Sequence, residues 1–302
     1  MHPARSALVA AWAGMAACAS TARAVAPPLE VGRIEHGGRQ RTYAYYAPAG
    51  EGPFPLVMAL HGRLGDGKGQ ERLASLAEIA ERERFIAVFP DGYRRSWNDA
   101  RHVGPAAEAG IDDAGFLDAL VDEFVAHHGA APARVYAMGM SNGAMMALTL
   151  ACGASAKFAG VVAVAGLLPD GFRCAPRRPL SVAVVAGDED PVVPYRGGAL
   201  GRGHGAVLSA ADTLEVLRRT EGCPDRAPPR ALPDADPGDG TTTELMGWTG
   251  CTGEVEVRLY AVHGGGHTWP GGLQYLPVRW VGRTARDFSA SEEGWHFMSG
   301  RR

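Results

Sequence analysis

Short runs of consecutive apolar residues, each followed by a glycine-rich or polar segment, dominate the pattern along this chain. A strand with one solvent-facing side alternates apolar and polar residues, whereas an uninterrupted apolar run is typical of a strand buried on both faces. The pattern therefore predicts a series of largely buried strands. They lie at 56–60, 85–89, 134–138, 158–165 and 180–185, with a last strand at 255–262.

Between these runs the apolar residues change to helical spacing. Leu73, Leu76 and Ala80 share one face of a predicted helix that follows the first run. Further helices are predicted at 113–128, from 144 to 152, and at 210–219 and 291–298. Two segments fall outside this alternation. Residues 29–47 predict an opening antiparallel strand pair, and residues 224–240, rich in Pro, Asp and Gly, predict a surface excursion.

The alternation of strands and helices predicts the fold class. It implies βαβ units, and therefore an α/β protein with a mainly parallel central sheet and helices on both faces. Functional groups in such sheets gather in the loops at the carboxyl ends of the strands. Four glycine-bearing loops follow predicted strands here, and we expect them to meet at one edge of the sheet. They are 61–67, 139–143, 187–190 and 263–267.

The loop at 139–143 has the sequence Gly-Met-Ser-Asn-Gly between a strand-like run and an Ala/Met/Leu-rich helical run. A G-x-S-x-G sequence in that setting is the form of a nucleophile elbow, in which the serine lies on a sharp, strained turn. The turn needs glycine two positions to either side, because a side chain there would prevent the backbone from closing. Ser141 is therefore the candidate nucleophile.

The chain also supplies an acid and a base in the order that a hydrolase of this architecture requires. A serine hydroxyl needs a base to take its proton and an acid to hold the base in the right tautomer. The expected order is Ser, then Asp or Glu, then His, and Ser141, Asp190 and His267 fit it. Asp190 is preferred because it leads into the turn at Pro191, and His267 because it lies deeper in its loop. Asp188 is the competing acid and His263 the competing base.

An ester hydrolase also needs hydrogen-bond donors for the oxyanion of the tetrahedral intermediate. The backbone N–H of Asn142 is one candidate, because it follows the nucleophile directly, and the backbone N–H of Arg63 in the 61–67 loop is the other. Each such donor typically stabilises the transition state by about 3 kcal/mol. No metal or cofactor is expected, since His263 and His267 lie in a glycine loop and not on one face of a helix.

Composition and charge narrow the possible partners. The 302 residues include 46% hydrophobic and 21% charged residues, which is typical of a globular protein with a full apolar core. The formal net charge of −3 gives no reason to expect a nucleic acid as a partner. The expected partner is a small or oligomeric ester substrate, and the sequence leaves the oligomeric state open.

The N-terminal segment predicts export. A weakly basic start, an apolar stretch too short to span a membrane and Ala22-Arg23-Ala24 together indicate a secretory signal peptide over residues 1–24. Attachment of a lipid at Cys18 is a less favoured alternative. Residues 25–302 then form one catalytic domain, which we expect to be secreted or periplasmic and to have no transmembrane segment.

The remaining cysteines agree with an oxidising compartment. Cys152, Cys174, Cys223 and Cys251 are even in number, and they allow three disulfide connectivities. We favour the sequential pairing, Cys152–Cys174 and Cys223–Cys251, because each bond closes a short loop.

The motifs together resemble a known family of secreted esterases, which comprises feruloyl esterases, acetyl xylan esterases and polyhydroxybutyrate depolymerases of the α/β-hydrolase fold. The segments that carry the resemblance are 60–62, 90–92, 97–98, 112–113, 139–143, 190–195 and 265–272. The resemblance implies that Ser141 is the nucleophile, Asp190 the acid and His267 the base. It also implies a similar placement of the four cysteines.

The chain departs from that family in a few positions. Arg63 stands where relatives usually have Gly or Cys, and Ala144 stands where they have Gly. Ala186-Gly187-Asp188 replaces the usual His-Gly-Thr. Arg63 is expected either to alter the oxyanion loop or to place a positive charge at the rim of the site.

Two tryptophans in the family segments, Trp97 and Trp269, are candidates for an aromatic wall against the substrate; packing inside the loops is an equal alternative. The implied activity is that of a secreted serine esterase acting on feruloyl, acetyl xylan or polyhydroxyalkanoate esters. A serine peptidase on the same fold and a non-catalytic binding protein of the cell envelope are the alternatives.

Overall fold

The structure is a computed structural model that describes residues 27–300. The expected signal peptide at 1–24 and the alternative lipid site at Cys18 lie outside the described residues. Within them, no helix is long and apolar enough to cross a membrane.

One large sheet organises the described residues. Ten strands follow the order β1-β2-β4-β3-β5-β6-β7-β12-β11-β10, and two short strands, β8 and β9, pair separately. The strands are β1 (Glu30–His36), β2 (Arg39–Tyr46), β3 (Phe54–Leu60), β4 (Ile86–Pro90), β5 (Ala130–Met140), β6 (Gly160–Val164), β7 (Ser181–Gly187), β8 (Gly198–Ala199), β9 (Ala206–Val207), β10 (Asp225–Ala231), β11 (Thr242–Thr249) and β12 (Val257–His263).

The centre of the sheet is parallel and its two edges are antiparallel. Strands β4, β3, β5, β6, β7 and β12 all run in one direction. The expected N-terminal pair, β1 and β2, adds antiparallel to β4, and β11 and β10 add antiparallel beyond β12. This is the predicted α/β architecture with a mainly parallel sheet.

The helices cover both faces of the sheet. They are α1 (Gly67–Ala74), α2 (Leu76–Glu83), α3 (Pro105–Glu108), α4 (Asp113–His127), α5 (Asn142–Thr149), α6 (Ala210–Thr220), α7 (Val278–Val281) and α8 (Ala290–Ser299). Helices α4, α5 and α6 pack on one face, and α1, α2 and α8 pack on the other. Alternate residues of β3 enter the two cores: Leu56, Met58 and Leu60 face one, and Val57 and Ala59 face the other. This two-sided burial explains the uninterrupted apolar runs.

The helix expected after β3 is divided into two. Ser75, between α1 and α2, has a left-handed backbone with φ of 48°. The Glu71 carboxylate accepts hydrogen bonds from the amides of Leu76 and Ala77 at the start of α2. A side chain of the first helix thus satisfies the free N–H groups that begin the second, which stabilises the break.

The prediction of a surface excursion at 224–240 was partly wrong, because this segment contains the edge strand β10. The neighbouring strand β11 was not predicted from the sequence. Strand β10 includes Pro228 and Pro229, which lie where the register with β11 shifts between Ala227 and Arg230. Proline is tolerated at such a bulge on a sheet edge because its missing N–H interrupts no central ladder.

Both disulfide bonds have the sequential pairing. Cys152 is bonded to Cys174 and Cys223 to Cys251, across 22 and 28 residues of chain. The first ties the end of α5 to the segment before β7, and the second ties the end of α6 to the segment between β11 and β12.

Candidate active site

The turn after β5 has the backbone geometry of a nucleophile elbow. Ser141 has φ of 55° and ψ of −118°, a region that a residue with a side chain rarely occupies. A Cβ at Gly139 would overlap the carbonyl oxygen of Gly143, and a Cβ at Gly143 would overlap that of Leu60. The two glycines are therefore required by close backbone contact, as the spacing predicts.

The predicted acid and base meet across 77 residues of chain. His267 Nδ1 lies 2.8 Å from Asp190 Oδ2, and both side chains are buried, with 6% and 2% of their surface exposed. The other carboxylate oxygen, Asp190 Oδ1, accepts hydrogen bonds from the amides of Val192 and Val193 at 2.7 and 2.8 Å. Because a carboxylate only accepts, His267 Nδ1 donates, and Nε2 is left as an acceptor.

The competing acid and base form a second pair between the same two loops. His263 Nδ1 lies 2.9 Å from Asp188 Oδ2, but 51% and 35% of these side chains are exposed. Neither residue lines a cavity at Ser141, whereas His267 does. The competitors are thus partners of each other and lie apart from the nucleophile.

The loop after β3 is fixed against the elbow by His61. Its Nε2 accepts from the amide of Gly92 at 2.9 Å, so Nδ1 carries the proton and donates to the Gly62 carbonyl at 2.7 Å. Burial lowers the pKa of His61, which keeps the ring neutral in this role. The Trp97 indole N–H donates to the His61 carbonyl at 2.9 Å and so ties this loop to the segment that contains Trp97.

The expected oxyanion donors occupy suitable positions. Asn142 is the first residue of α5, where a helical N–H has no partner within its own helix. The backbone N–H of Arg63 also has no protein acceptor within residues 27–300. A Cβ at Gly62 would lie 3.4 Å from that of Ser141, so the Arg63 loop packs directly against the nucleophile.

The side chain of Asn142 has a structural role that the sequence did not reveal. Its Oδ1 accepts from the Trp97 amide at 2.8 Å, and its Nδ2 donates to the Trp97 carbonyl and to Asp99 Oδ2 at 3.1 and 2.7 Å. Asp99 is in turn paired with Arg101 at 2.6 Å. This buried network fixes the start of α5. Asp99 follows the Trp97-Asn98 segment directly, but a single sequence carries no signal for its partner 43 residues away.

The substrate-facing role considered for Trp97 and Trp269 is corrected by the structure. Both indoles are buried, with 0% and 1% exposure, and neither lines a cavity at Ser141. Trp269 donates from Nε1 to Ser291 Oγ of α8 at 3.0 Å. The two side chains therefore pack the loops from inside, which is the alternative that the sequence left open.

Two cavities open on either side of Ser141. The first, of about 110 Å³, we call the valine cavity. Its apolar lining consists of Val103, Met145, Val192, Val193 and Leu200, and its charged or titratable lining of Arg63, Arg101 and His204. The second, of about 260 Å³, we call the arginine cavity. Its lining includes Arg63, Gln70, Arg72, Arg95, Ser141 and His267.

His204 and Tyr275, which were not predicted from the sequence, line the valine cavity and the arginine cavity, respectively. His204 lies against the guanidinium of Arg63, with Nε2 at 2.9 Å from Nη1. Burial and the charges of Arg63 and Arg101 lower the pKa of His204. Tyr275 lines the arginine cavity, and its hydroxyl donates to the His267 carbonyl at 2.9 Å. Burial and the charge of Asp190 raise the pKa of Tyr275 to about 12, so this hydroxyl stays a donor.

Comparison with known proteins places this chain among esterases. Residues 56–210 of this chain match a protein family described as phospholipase/carboxylesterase. NocK of Nocardia uniformis subsp. tsuyamanensis, named as a candidate esterase, is 34% identical over 281 residues, which cover 87% of this chain and 80% of NocK.

Two further proteins are similar over much of the chain. Feruloyl esterase B of Piromyces equi is 28% identical over 229 residues, covering 72% of this chain but only 40% of that protein. The solved structure of an acetyl xylan esterase from Aspergillus awamori superposes with a TM-score of 0.54 at 17% identity. That superposition covers 79% of this chain and 94% of the other, and it shows a shared fold.

Proposed function

Because the chain belongs to the phospholipase/carboxylesterase family of α/β hydrolases and is a carboxylic ester hydrolase, we propose that Ser141, His267 and Asp190 form its catalytic triad. The observation that carries this proposal is the buried His267–Asp190 hydrogen bond beside a cavity that Ser141 also lines. An acid, a base and a strained serine at the carboxyl ends of parallel strands of one sheet are the parts that acyl transfer needs.

The proposed reaction follows from these positions. The Oγ atom of Ser141 attacks the ester carbonyl carbon while His267 Nε2 takes its proton, and the C–O bond to the alcohol breaks as His267 returns that proton to the alcohol oxygen. A water molecule then attacks the acyl carbon and gives a proton to His267. The bond from the acyl carbon to Ser141 Oγ breaks as His267 passes that proton to Oγ, which restores the serine and releases the acid. Asp190 holds His267 in the tautomer that accepts at Nε2 and stabilises the cation that forms.

The backbone N–H groups of Asn142 and Arg63 are the proposed oxyanion donors. Both lie next to Ser141, and a donor that is fixed before the reaction costs no reorganisation when the charge develops. The network of His61 and Trp97 on one side, and of Asn142 and Asp99 on the other, supports this proposal because it holds both donors in place.

The two cavities suggest how an ester lies across the site. The leaving alcohol must be within reach of His267, which protonates it, so we place the alcohol in the arginine cavity and the acyl group in the valine cavity. The valine cavity of about 110 Å³ is smaller than the cavity of about 150 Å³ that holds a benzene ring. This favours short acyl groups of the acetyl or hydroxyalkanoyl type over a feruloyl group.

Export is part of the proposal. The two disulfides are typical of proteins that fold in an oxidising compartment, and they support the interpretation of residues 1–24 as a secretory signal and of 25–302 as the mature catalytic domain. We therefore propose a secreted or periplasmic esterase that acts on acetylated polysaccharide or polyhydroxyalkanoate fragments.

The direct test is Ser141→Ala. We expect loss of 4-nitrophenyl acetate hydrolysis and of covalent labelling by a fluorophosphonate, with an unchanged circular dichroism spectrum. An esterase activity that survives this substitution would rule out Ser141 as the nucleophile. Comparison of acetyl, hydroxybutyryl and feruloyl esters of one alcohol would test the acyl preference, and a faster rate with the feruloyl ester would contradict it.

A further inference from the structure

The arginine cavity carries an excess of positive charge. Arg63, Arg72 and Arg95 line it, and among the residues of 27–300 that line it Asp66 is the one carboxylate. The Asp66 carboxylate is already engaged as the cap of α1, accepting from the Gly69 amide at 2.7 Å. Within residues 27–300, no carboxylate lies within 4.0 Å of the three guanidinium groups.

This charge is not a general feature of the protein. The formal net charge of the whole chain is −3. The more buried arginines Arg41 and Arg101 are compensated, since Arg41 pairs with Asp113 at 2.7 Å and Arg101 with Asp99 at 2.6 Å. Arg63 also lines the valine cavity, where its guanidinium contacts His204. Arg72 and Arg95, which have no carboxylate partner, therefore raise the local concentration of anions in the arginine cavity together with Arg63.

A buried polar side chain also forms part of the wall of this cavity. Gln70 lines it from α1 and is 3% exposed, yet its amide Nε2 has no hydrogen-bond partner within the described part of the chain. Buried polar groups in folded proteins are nearly always hydrogen-bonded, so such a donor calls for an explanation. With less than 1 Å² of accessible surface, Gln70 Nε2 is itself out of reach of a ligand in the cavity, so the guanidinium groups supply the donors for an anion.

We propose that the arginine cavity binds a carboxylate carried by the leaving alcohol, so that the preferred substrates are esters of hydroxy acids. The proposal rests on the proposed triad, because His267 protonates the leaving alcohol and also lines this cavity. Guanidinium groups suit this ligand, since their planar fork matches the two oxygens of a carboxylate. Arg72, on α1, and Arg63, next to Ser141, are then the specificity-determining side chains.

A matched pair of esters tests the proposal. 4-Acetoxybenzoate and 4-acetoxybenzamide share the acetyl group and the ring and differ in charge. We expect the ratio of kcat/KM for the anionic ester to that for the neutral ester to fall about tenfold in Arg72→Gln, which is typical of a lost charge-assisted hydrogen bond. Raising the NaCl concentration should lower the same ratio in the unaltered protein, because salt screens the guanidinium charge.

Lys68→Gln is the control, since Lys68 is an exposed cation on the same helix and does not line the cavity. This substitution should leave the ratio within about twofold of the unaltered protein, as screened surface charges contribute little. Arg63→Gln is a second test, with the same expected direction as Arg72→Gln.

The outcomes separate this proposal from the proposed triad. If the neutral ester is hydrolysed and neither arginine substitution changes the ratio, the anion site is wrong and the triad stands. If Lys68→Gln lowers the ratio as much as Arg72→Gln, the preference arises from the overall surface charge and the anion site is again wrong. If neither ester is hydrolysed and Ser141 does not react with a fluorophosphonate, both proposals fail.

Discussion

Two histidine–aspartate pairs bridge the loops after β7 and β12, and they differ far more in surroundings than in geometry. His267–Asp190 and His263–Asp188 have nearly equal hydrogen-bond lengths, 2.8 and 2.9 Å. The first pair is buried and lines the arginine cavity through His267, whereas the second is substantially exposed. An exposed pair of this kind typically contributes about 0–1 kcal/mol to stability. A hydrogen bond alone therefore does not distinguish the proposed catalytic pair from a surface pair; burial and a shared cavity with Ser141 do.

Replacing each histidine by alanine gives the largest expected contrast. His267→Ala should lower kcat by about 10⁶-fold, because the loss of the base in a serine triad removes almost all of the triad's contribution. His263→Ala should leave kcat within about twofold, since an exposed pair contributes little. The measurement is 4-nitrophenyl acetate hydrolysis by both purified variants. Comparable losses in the two variants would remove the distinction between the pairs.

The aspartates give the next contrast. Asp190→Asn should lower kcat by about 10⁴-fold, because an asparagine amide can present an N–H to His267 and favour the tautomer that cannot accept at Nε2. Asp188→Asn, made in the second pair, is the matched control and should keep kcat near that of the unaltered protein. A fully active Asp190→Asn variant would show that another group orients His267.

Glu71 is a buried carboxyl that, within residues 27–300, has no cationic partner. It therefore shows how burial without a partner affects the stability of the protein, in contrast to Asp190, which is paired with His267. Burial raises the pKa of Glu71 to about 7 from an ordinary value of 4.5. The folded state therefore holds a proton between these pH values that the unfolded chain has lost. The free energy of unfolding contributed by Glu71 should accordingly fall as pH rises from about 4.5 to about 7, by at most about 3 kcal/mol.

Glu71→Gln should remove that part of the pH dependence. Urea unfolding at pH 5 and pH 8 should show the variant gaining stability relative to the unaltered protein at the higher pH. Burial also raises the pKa of Glu221 to about 7, so both proteins retain a share of the slope. Glu81→Gln, on the exposed surface of α2, controls for the loss of one negative charge. An equal difference between the Glu71 variant and the unaltered protein at both pH values would argue against the raised pKa.

Much of the fold could be predicted because its signals are local. The uninterrupted apolar runs identified the buried parallel strands, since each of these strands packs against helices on both faces. The expected α/β-hydrolase fold and the family resemblance are confirmed by the sheet order and by the esterase relatives. The edge strand β10 was missed because it is mostly exposed and contains Pro228 and Pro229, so it lacks an apolar pattern.

The sequence by itself determined the elbow at Ser141, because the crowding that requires Gly139 and Gly143 acts within a few residues and leaves a readable spacing. It also predicted that Asp190 and His267 follow two strands of the parallel sheet, which are β7 and β12. Only the tertiary structure decided which histidine shares a cavity with Ser141, that Trp97 is buried, and that Gln70 faces a cavity lined by arginines. The reason is physical: side-chain burial and pairing depend on the packing of segments far apart in the chain, and that packing leaves no local pattern in the sequence.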